Sequence, residues 1–334
     1  TSNNHCSIWI IKMEFILYSF LILFFLSISY GFYKSVYFDI PRDIVLAKHA
    51  KGASEFIKLD DGSLVHVRDE GVKNKETIVL IHGFNGSLFN FEPMVSYLKD
   101  NFRILSLDLP AHGLTGAVKS NLYSYDGFEK LITDILKVKS IEKFYLVGHS
   151  MGGVISWKYA LNNLERISGL IIIGSPFIGS ENEYKKFQSE NAPPIAFKLL
   201  ETKIMRFMLK YFTPRFLVKE GVSKTVYNKD LVTEKLVNQF HDIILLEGSR
   251  EAMGMVILSI EDDFIADPKL LQNLKIPTLI LHGEKDKLVD ISFTNHFLEQ
   301  IPNVKLISYP KVGHMPPMEI PEKLAYDIKS FLGT

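Results

Sequence analysis

Leu146-Val147-Gly148-His149-Ser150-Met151-Gly152-Gly153 is the stretch that decides the fold. Phe144 and Tyr145 lead into it, and Phe144 to Val147 is a short apolar run that reads as a buried strand. Val154 to Leu161 follows and reads as a helix with an apolar face. A strand therefore runs into a Gly-x-Ser-x-Gly turn and leaves as a helix, the setting of a nucleophile elbow. The turn is too tight for side chains at its flanks, which accounts for Gly148 and Gly152. Ser150 is expected to stand clear of the sheet, and the N-terminus of the next helix adds a positive field where an oxyanion would form. The same letters also fit a glycine-rich turn with an incidental serine; the strand before and the helix after favour a catalytic one.

Outward from this turn, short apolar runs alternate with helical patterns. Glu55 to Leu59 and Leu64 to Arg68 flank Asp60-Asp61-Gly62-Ser63 as an antiparallel hairpin. Thr77 to Ile81 is a β-branched run expected to be buried on both faces, ending in His82-Gly83-Phe84-Asn85-Gly86. Phe89 to Leu98 is helical, and Phe102 to Leu107 is the next strand, closed by Asp108-Leu109-Pro110-Ala111-His112-Gly113. Tyr125 to Lys139 carries Phe128, Leu131, Ile132, Ile135 and Val138 on one stripe of a helix. Leu170 to Ile173, Pro277 to Leu281 and Val304 to Tyr309 are further strands, and Glu322 to Leu332 is a closing helix. The fold class is therefore α/β: a mostly parallel sheet with helices on both faces, with ligands expected at the carboxyl ends of its strands.

The alternation stops between Glu181 and Asp267, where several helices are expected with Pro193, Pro194, Pro214 and Gly221 as breaks. This is a helical cap inserted after the sixth strand. Pro194 to Phe212 is apolar on one side, with Lys198, Lys203, Arg206 and Lys210 interspersed; it is expected to pack over the site, and a basic surface meeting lipid is compatible with that. Met205, Met208, Met253 and Met255 suit an adaptable apolar pocket, or simply the core.

At the other end, Phe15 to Tyr33 carries no charge and approaches the span of a bilayer core. Two fates are open to it. Ser27-Ile28-Ser29 fits a small-x-small cleavage site, which makes the segment a signal peptide and the product secreted or periplasmic. The apolar run continues through Tyr30, Phe32 and Tyr33, aromatics suited to a membrane interface, which favours a retained anchor. The expected organisation is a membrane segment over 1–40, a polar linker over 41–54, a first core part over 55–176, the cap over 177–268 and a second core part over 269–334.

Composition narrows the function. The 334 residues have formal net charge zero, which gives no electrostatic case for nucleic acid as a partner. A single cysteine, Cys6, excludes an internal disulfide and a multi-cysteine metal site, and no His-x-x-x-His or Glu-x-x-His pattern suggests a metal. Hydrophobic content of 47% supplies a sizeable core.

Serine needs a base. His314, in Val312-Gly313-His314-Met315-Pro316, lies after the last strand, where a base falls in the order Ser…Asp…His. His82, His112 and His149 are also near strand ends but sit inside turns and look structural. The orienting carboxylate is expected to be Asp286, directly after a strand; Asp290 reads as a helix N-cap and Glu284 is a weaker rival. The backbone N–H groups of Met151 and Phe84 are the expected oxyanion donors. Asp108 is expected to pin its loop.

His82-Gly83-Phe84, Asp108 to Gly113, Gly148 to Gly153, Asp286 and Gly313-His314 together resemble the α/β-hydrolase superfamily from about Glu55 to the C-terminus. The resemblance implies a triad of Ser150, Asp286 and His314, an oxyanion hole at Phe84 and Met151, and no cofactor. It departs at Ala111, where many members have glycine, and at Thr115, where many have serine. Among relatives the chain is most similar to membrane-anchored or secreted esterases and lipases. The expected activity is serine hydrolysis of a carboxylic ester with an apolar acyl group, through an acyl-enzyme, on a small-molecule or lipid substrate. An amide or carbon–carbon hydrolase, or an acyltransferase, on the same residues is the alternative.

Overall fold

Strand β3 (Thr77–Ile81) is buried along its whole length, and its alternate residues enter two different cores. Val79 and Ile81 join one cluster, and Ile78 and Leu80 the other, because successive side chains of a strand point to opposite faces. In this computed structural model β3 lies inside an open sheet of eight strands, and the described residues are 2–119, 122–190, 202, 211–260 and 265–333. Of residues 2–12, 186–190 and 260 only the backbone is described.

The other strands are β1 (Ser54–Lys58), β2 (Leu64–Gly71), β4 (Arg103–Leu107), β5 (Phe144–His149), β6 (Ile167–Ile173), β7 (Thr278–Gly283) and β8 (Val304–Tyr309). Their order is β1-β2-β4-β3-β5-β6-β7-β8, with β2 antiparallel to both of its neighbours, β1 and β4, and β4 to β8 parallel to β3. The chain steps from β3 outward to β4 and then returns to lay β5 on the other side of β3. That reversal is a topological switch point, and it opens a crevice beyond the strand ends. Ile81 pairs with Gly148 there, so the turns after β3 and β5 are neighbours.

Twelve helices follow in chain order among the described residues: α1 (Ser2–Tyr33), α2 (Arg42–His49), α3 (Glu92–Leu98), α4 (Tyr125–Val138), α5 (Met151–Asn162), α6 (Glu181–Glu190), α7 (Arg215–Thr225), α8 (Glu234–Ile244), α9 (Ser249–Ile260), α10 (Thr294–Gln300), α11 (Pro316–Glu319) and α12 (Pro321–Leu332). Helices α4, α5 and α10 cover one face of the sheet through Phe128, Leu131, Trp157 and Phe297. Helices α3 and α12 cover the other through Met94, Leu98, Leu324 and Ile328. The expected helix over Phe89 to Leu98 is a tight 3-10 turn, Leu88–Phe91, that passes into α3 with Pro93 in its first turn.

Helices α6 to α9 occupy the chain between β6 and β7, and a parallel bridge between Ile178 and Ile265 brings the two ends of this insertion together. Pro214 stands at the N-cap of α7, but Gly221, expected to be a break, lies inside that helix, since one glycine costs a helix only about 1 kcal/mol relative to alanine. Pro193, Pro194, Met205, Met208 and the expected helix over Pro194 to Phe212, apart from Thr202, Tyr211 and Phe212, lie outside the described residues. Met255 is exposed on α9 rather than turned into an apolar pocket.

The stretch read as a polar linker, 41–54, carries α2. Val45 of that helix packs with Leu88, Phe89, Leu114 and Leu246, so one small core joins α2 and the first part of the hydrolase body to the insertion. Arg42 donates to the carbonyls of Leu114 and Thr115 over 2.7 and 2.9 Å. His49 and Lys48 both meet Asp242 of α8. Ahead of α2, residues 36–40 run as an extended strap. Tyr37 N–H donates to Tyr211 O, and Ile40 exchanges backbone bonds with Leu245 and Glu247. Asp39 is held by Arg250, which also donates to Tyr37 O over 3.0 Å.

Candidate active site

Ser150 sits between β5 and α5 at φ 54 and ψ −122, a conformation costing a non-glycine residue about 1–3 kcal/mol. The neighbours impose it. A Cβ on Gly148 would fall 2.2 Å from Gly152 O, and one on Gly152 would fall 2.2 Å from Ile81 O, so neither position admits a side chain. Ser150 N–H donates to Ile173 O over 2.9 Å, which ties the elbow to the end of β6. Ser150 remains partly exposed and stands at the N-cap of α5, whose leading N–H is that of Met151.

The loop after β3 closes against it. A Cβ on Gly83 would lie 2.8 Å from Ser150 Cβ, so glycine lets the two turns touch. His82 is fully buried; its Nδ1 donates to Gly83 O over 2.8 Å and its Nε2 accepts from Leu109 N–H over 3.0 Å. Gly86 N–H also donates to Gly83 O. With that carbonyl held on one side, the N–H of the same peptide unit, that of Phe84, faces the other way. Asp108 anchors the next loop: it accepts from Leu88 N–H and Leu114 N–H over 2.7 and 2.8 Å and pairs with His66 Nδ1 over 2.6 Å. Burial by itself pushes the Asp108 carboxyl up, but His66, His82 and the Leu88 N–H outweigh it and hold it below the usual carboxylate range.

His314 and Asp286 are brought together directly, Nδ1 donating to Oδ2 over 2.7 Å. Gly174 borders them at φ 52, a conformation that strains a side chain; a Cβ there would lie 3.5 Å from the carboxylate and 3.6 Å from the ring nitrogen, in ordinary contact, so it is the backbone and not the space that calls for glycine. The other Asp286 oxygen accepts from Leu288 N–H and Val289 N–H. Burial pushes this carboxyl up as well, and the His314 ring with these N–H groups more than compensates, so its pKa is lowered. A donating Nδ1 leaves Nε2 of His314 with its lone pair. Asp290 instead caps the short turn Ile291–Phe293 through Ser292 N–H, and Glu284 accepts from Ser308 at the surface.

Among the described residues no hydrogen bond joins the Ser150 hydroxyl to His314; His149 makes the link between their loops. Its Nε2 donates to His314 O over 2.6 Å and the two rings lie 4.8 Å apart. Burial lowers the His149 pKa to about 3, so the ring is neutral at neutral pH and keeps a single, fixed donor. His112 behaves likewise: burial lowers its pKa to about 3, its Nδ1 donates to Pro110 O, and its ring packs on His82 and Phe84.

Two contacts had no signal in the sequence. His314 N–H donates to Thr225 O at the end of α7, and Glu319 accepts from Gly313 N–H over 2.8 Å and from Tyr227 N–H over 2.7 Å. The loop carrying His314 is thereby clamped to the insertion.

Residues 76–321 match the model of the alpha/beta hydrolase fold family. This chain belongs to that family. As a hydrolase-fold protein it is 30% identical to the uncharacterized hydrolase YugF of Bacillus subtilis over 81% of this chain and 95% of that one. It is 24% identical to lipase 1 of Psychrobacter immobilis over 82% of each chain. A solved bacterial membrane phospholipase A, 17% identical, superposes with a TM-score of 0.69 over 96% of this chain and 98% of its own, an overlap that reaches into α1. The family makes this chain a hydrolase by kinship; bond and substrate are a matter for its own residues.

Proposed function

We propose that this hydrolase cleaves carboxylic esters of apolar acyl groups through an acyl-enzyme on Ser150, with His314 as base and Asp286 as its orienting acid. The observation that carries the reading is the 2.7 Å bond from His314 Nδ1 to an ionised Asp286, which leaves the Nε2 lone pair free to take a proton. Ser150 Oγ attacks the ester carbonyl as Nε2 takes its proton. The carbonyl oxygen becomes an oxyanion beside the N–H groups of Met151 and Phe84. The alcohol leaves with the proton from His314, and water, deprotonated by the same nitrogen, releases the acid.

Apolar side chains do gather beside the oxyanion loop: Phe89, Leu236, Phe240 and Ile243 face one another between the loop after β3 and helix α8, around a gap of only about 10 Å³ that Ser150 and His314 do not line. The kinship with a lipase at 24% identity points the same way. Membrane attachment through α1 belongs to this reading: Met13–Tyr33 is 21 residues with a mean hydropathy of 2.1, none of it buried against the rest of the chain. The test is labelling by a fluorophosphonate, followed by a panel of acyl esters of increasing chain length. Labelling at Ser150 and turnover of apolar esters is the expected outcome; labelling without turnover of any ester transfers the site to another bond, and no labelling at Ser150 overturns the assignment.

A further inference from the structure

The apolar surface of α1 does not end where the helix ends. Phe32 stacks on Phe212 with ring centroids 5.8 Å apart, and Val36 bridges to Phe212 as an antiparallel pair. Phe38 packs edge-on to Tyr211 at 5.9 Å yet remains 72% exposed. Just beyond Phe212, at the start of α7, Phe216 and Leu217 are 65% and 47% exposed. Large apolar side chains left in water at the base of an unburied apolar helix mark a contact surface.

We propose that Phe38, Phe216 and Leu217 form a collar that seats in the boundary between headgroups and acyl chains of a lipid bilayer. This rests on the reading of α1 as a membrane anchor. The occupant follows from continuity: the collar is joined to a helix long and apolar enough to cross a bilayer, by stacking, backbone pairing and a link of few residues. Lipid covers both surfaces at once, whereas a protein partner would need to stop where the helix begins. The collar also fixes where the hydrolase body faces. The strap at residues 36–40 grips α8 and α9: Tyr37 packs against His241 at 4.6 Å and Arg250 holds Asp39. Helix α8 lines the cleft beside the loop after β3 with Leu236, Phe240 and Ile243. A seated collar therefore holds α8 and the loop after β3 within reach of the bilayer, so the hydrolase meets its ester in lipid rather than in solution.

The experiment uses the full chain reconstituted into vesicles of phosphatidylcholine and phosphatidylglycerol. In a Trp9→Phe background, which leaves the buried Trp157, a Phe38→Trp reporter is quenched by lipids brominated near the headgroup. In parallel the triple variant Phe38→Ser, Phe216→Ser, Leu217→Ser is assayed on a short soluble ester and on a long-chain ester embedded in the vesicles. The expected result is quenching of the reporter, a loss of about tenfold or more on the embedded ester and less than about twofold on the soluble one, since each contact removed is exposed and lies outside the site. An unquenched reporter, or equal losses on both esters, or no loss on the embedded ester, overturns the collar. Failure to hydrolyse any ester overturns the proposed activity instead, and the quenching still decides the collar.

Discussion

His149 donates from Nε2 to the backbone carbonyl of His314 over 2.6 Å, so the residue before the elbow serine holds the loop of the candidate base. Replacing it by phenylalanine keeps ring volume and removes the donor. An orphaned buried carbonyl costs about 1–3 kcal/mol. The expected outcome for His149→Phe is a stability loss of that order in urea unfolding, with kcat on a short ester lowered roughly tenfold as the His314 loop loses its fixed position. Unchanged kcat in a folded variant would reduce this bond to a structural one.

Ser150→Ala is expected to lower kcat by about three orders of magnitude or more, and His314→Ala by as much. The double variant should be no worse than either, since the groups act as a unit. Asp286→Asn should cost about 10⁴, while Asp290→Asn, which only weakens a cap, should leave kcat within about threefold. Steady-state kinetics on one soluble ester checks all four, and a larger effect at Asp290 would reassign the acid.

Acid should destabilise this fold well above the carboxylate range. His82, His112, His149 and His282 are buried and have lowered pKa values, about 3 for His112 and His149. Each is neutral in the fold and binds a proton on unfolding below about pH 6.5. For His112 and His149 the contribution is therefore full above the unfolded pKa and is lost as pH falls from about 6.5 toward about 3, at roughly 1.4 kcal/mol per pH unit for each, and His82 and His282 act in the same direction. Urea midpoints between pH 7 and 4.5 should fall accordingly, and His112→Gln should make the slope shallower by about one such unit.

Glu319 joins Gly313 to Tyr227 through its two oxygens. Glu319→Gln retains one acceptor and loses the other, so it should loosen the clamp without emptying the site. The expected loss is about tenfold in kcat/KM, of the order of one charge-assisted bond. Fluorophosphonate labelling rates report it independently of substrate.

Ala111 has φ 69, in the region where many relatives have glycine and where a Cβ costs about 1 kcal/mol or more. Ala111→Gly removes that strain and adds unfolded-state entropy of similar size. The expected change is within about 1 kcal/mol, with activity intact; a large loss of stability would mean that the methyl group packs better than its backbone suggests.

The central strands were legible because β3, β6 and β7 are buried on both faces and carry unbroken apolar runs, Ile78 to Ile81, Leu170 to Ile173 and Leu279 to Leu281, and α4 because its stripe repeats at helical spacing. The grouping of Ser150 with the end of β3 was legible too, since chain order and the positions of glycines constrain it. What escaped the sequence depends on partners far along the chain. Nothing near His66 in a polar-apolar hairpin strand indicates Asp108, and nothing in 41–54 indicates Leu246 or Asp242. Glu319 looks like an ordinary helix carboxylate until Tyr227 is placed beside Gly313. Gly221 misled because a helix tolerates one glycine.

The clasp between Asp39 and Arg250 joins positions 211 apart in the chain. At about 5–20 residues per second, Asp39 leaves the ribosome roughly 10–40 s before its partner exists. Throughout that interval the strap has no insertion to grip, and Ile40 lacks the backbone partners it later finds in Leu245 and Glu247. A chain that stalls or is cut before residue 250 therefore keeps its apolar helix but has nothing to fix the strap, so the direction in which the body hangs from that helix is settled only late in synthesis.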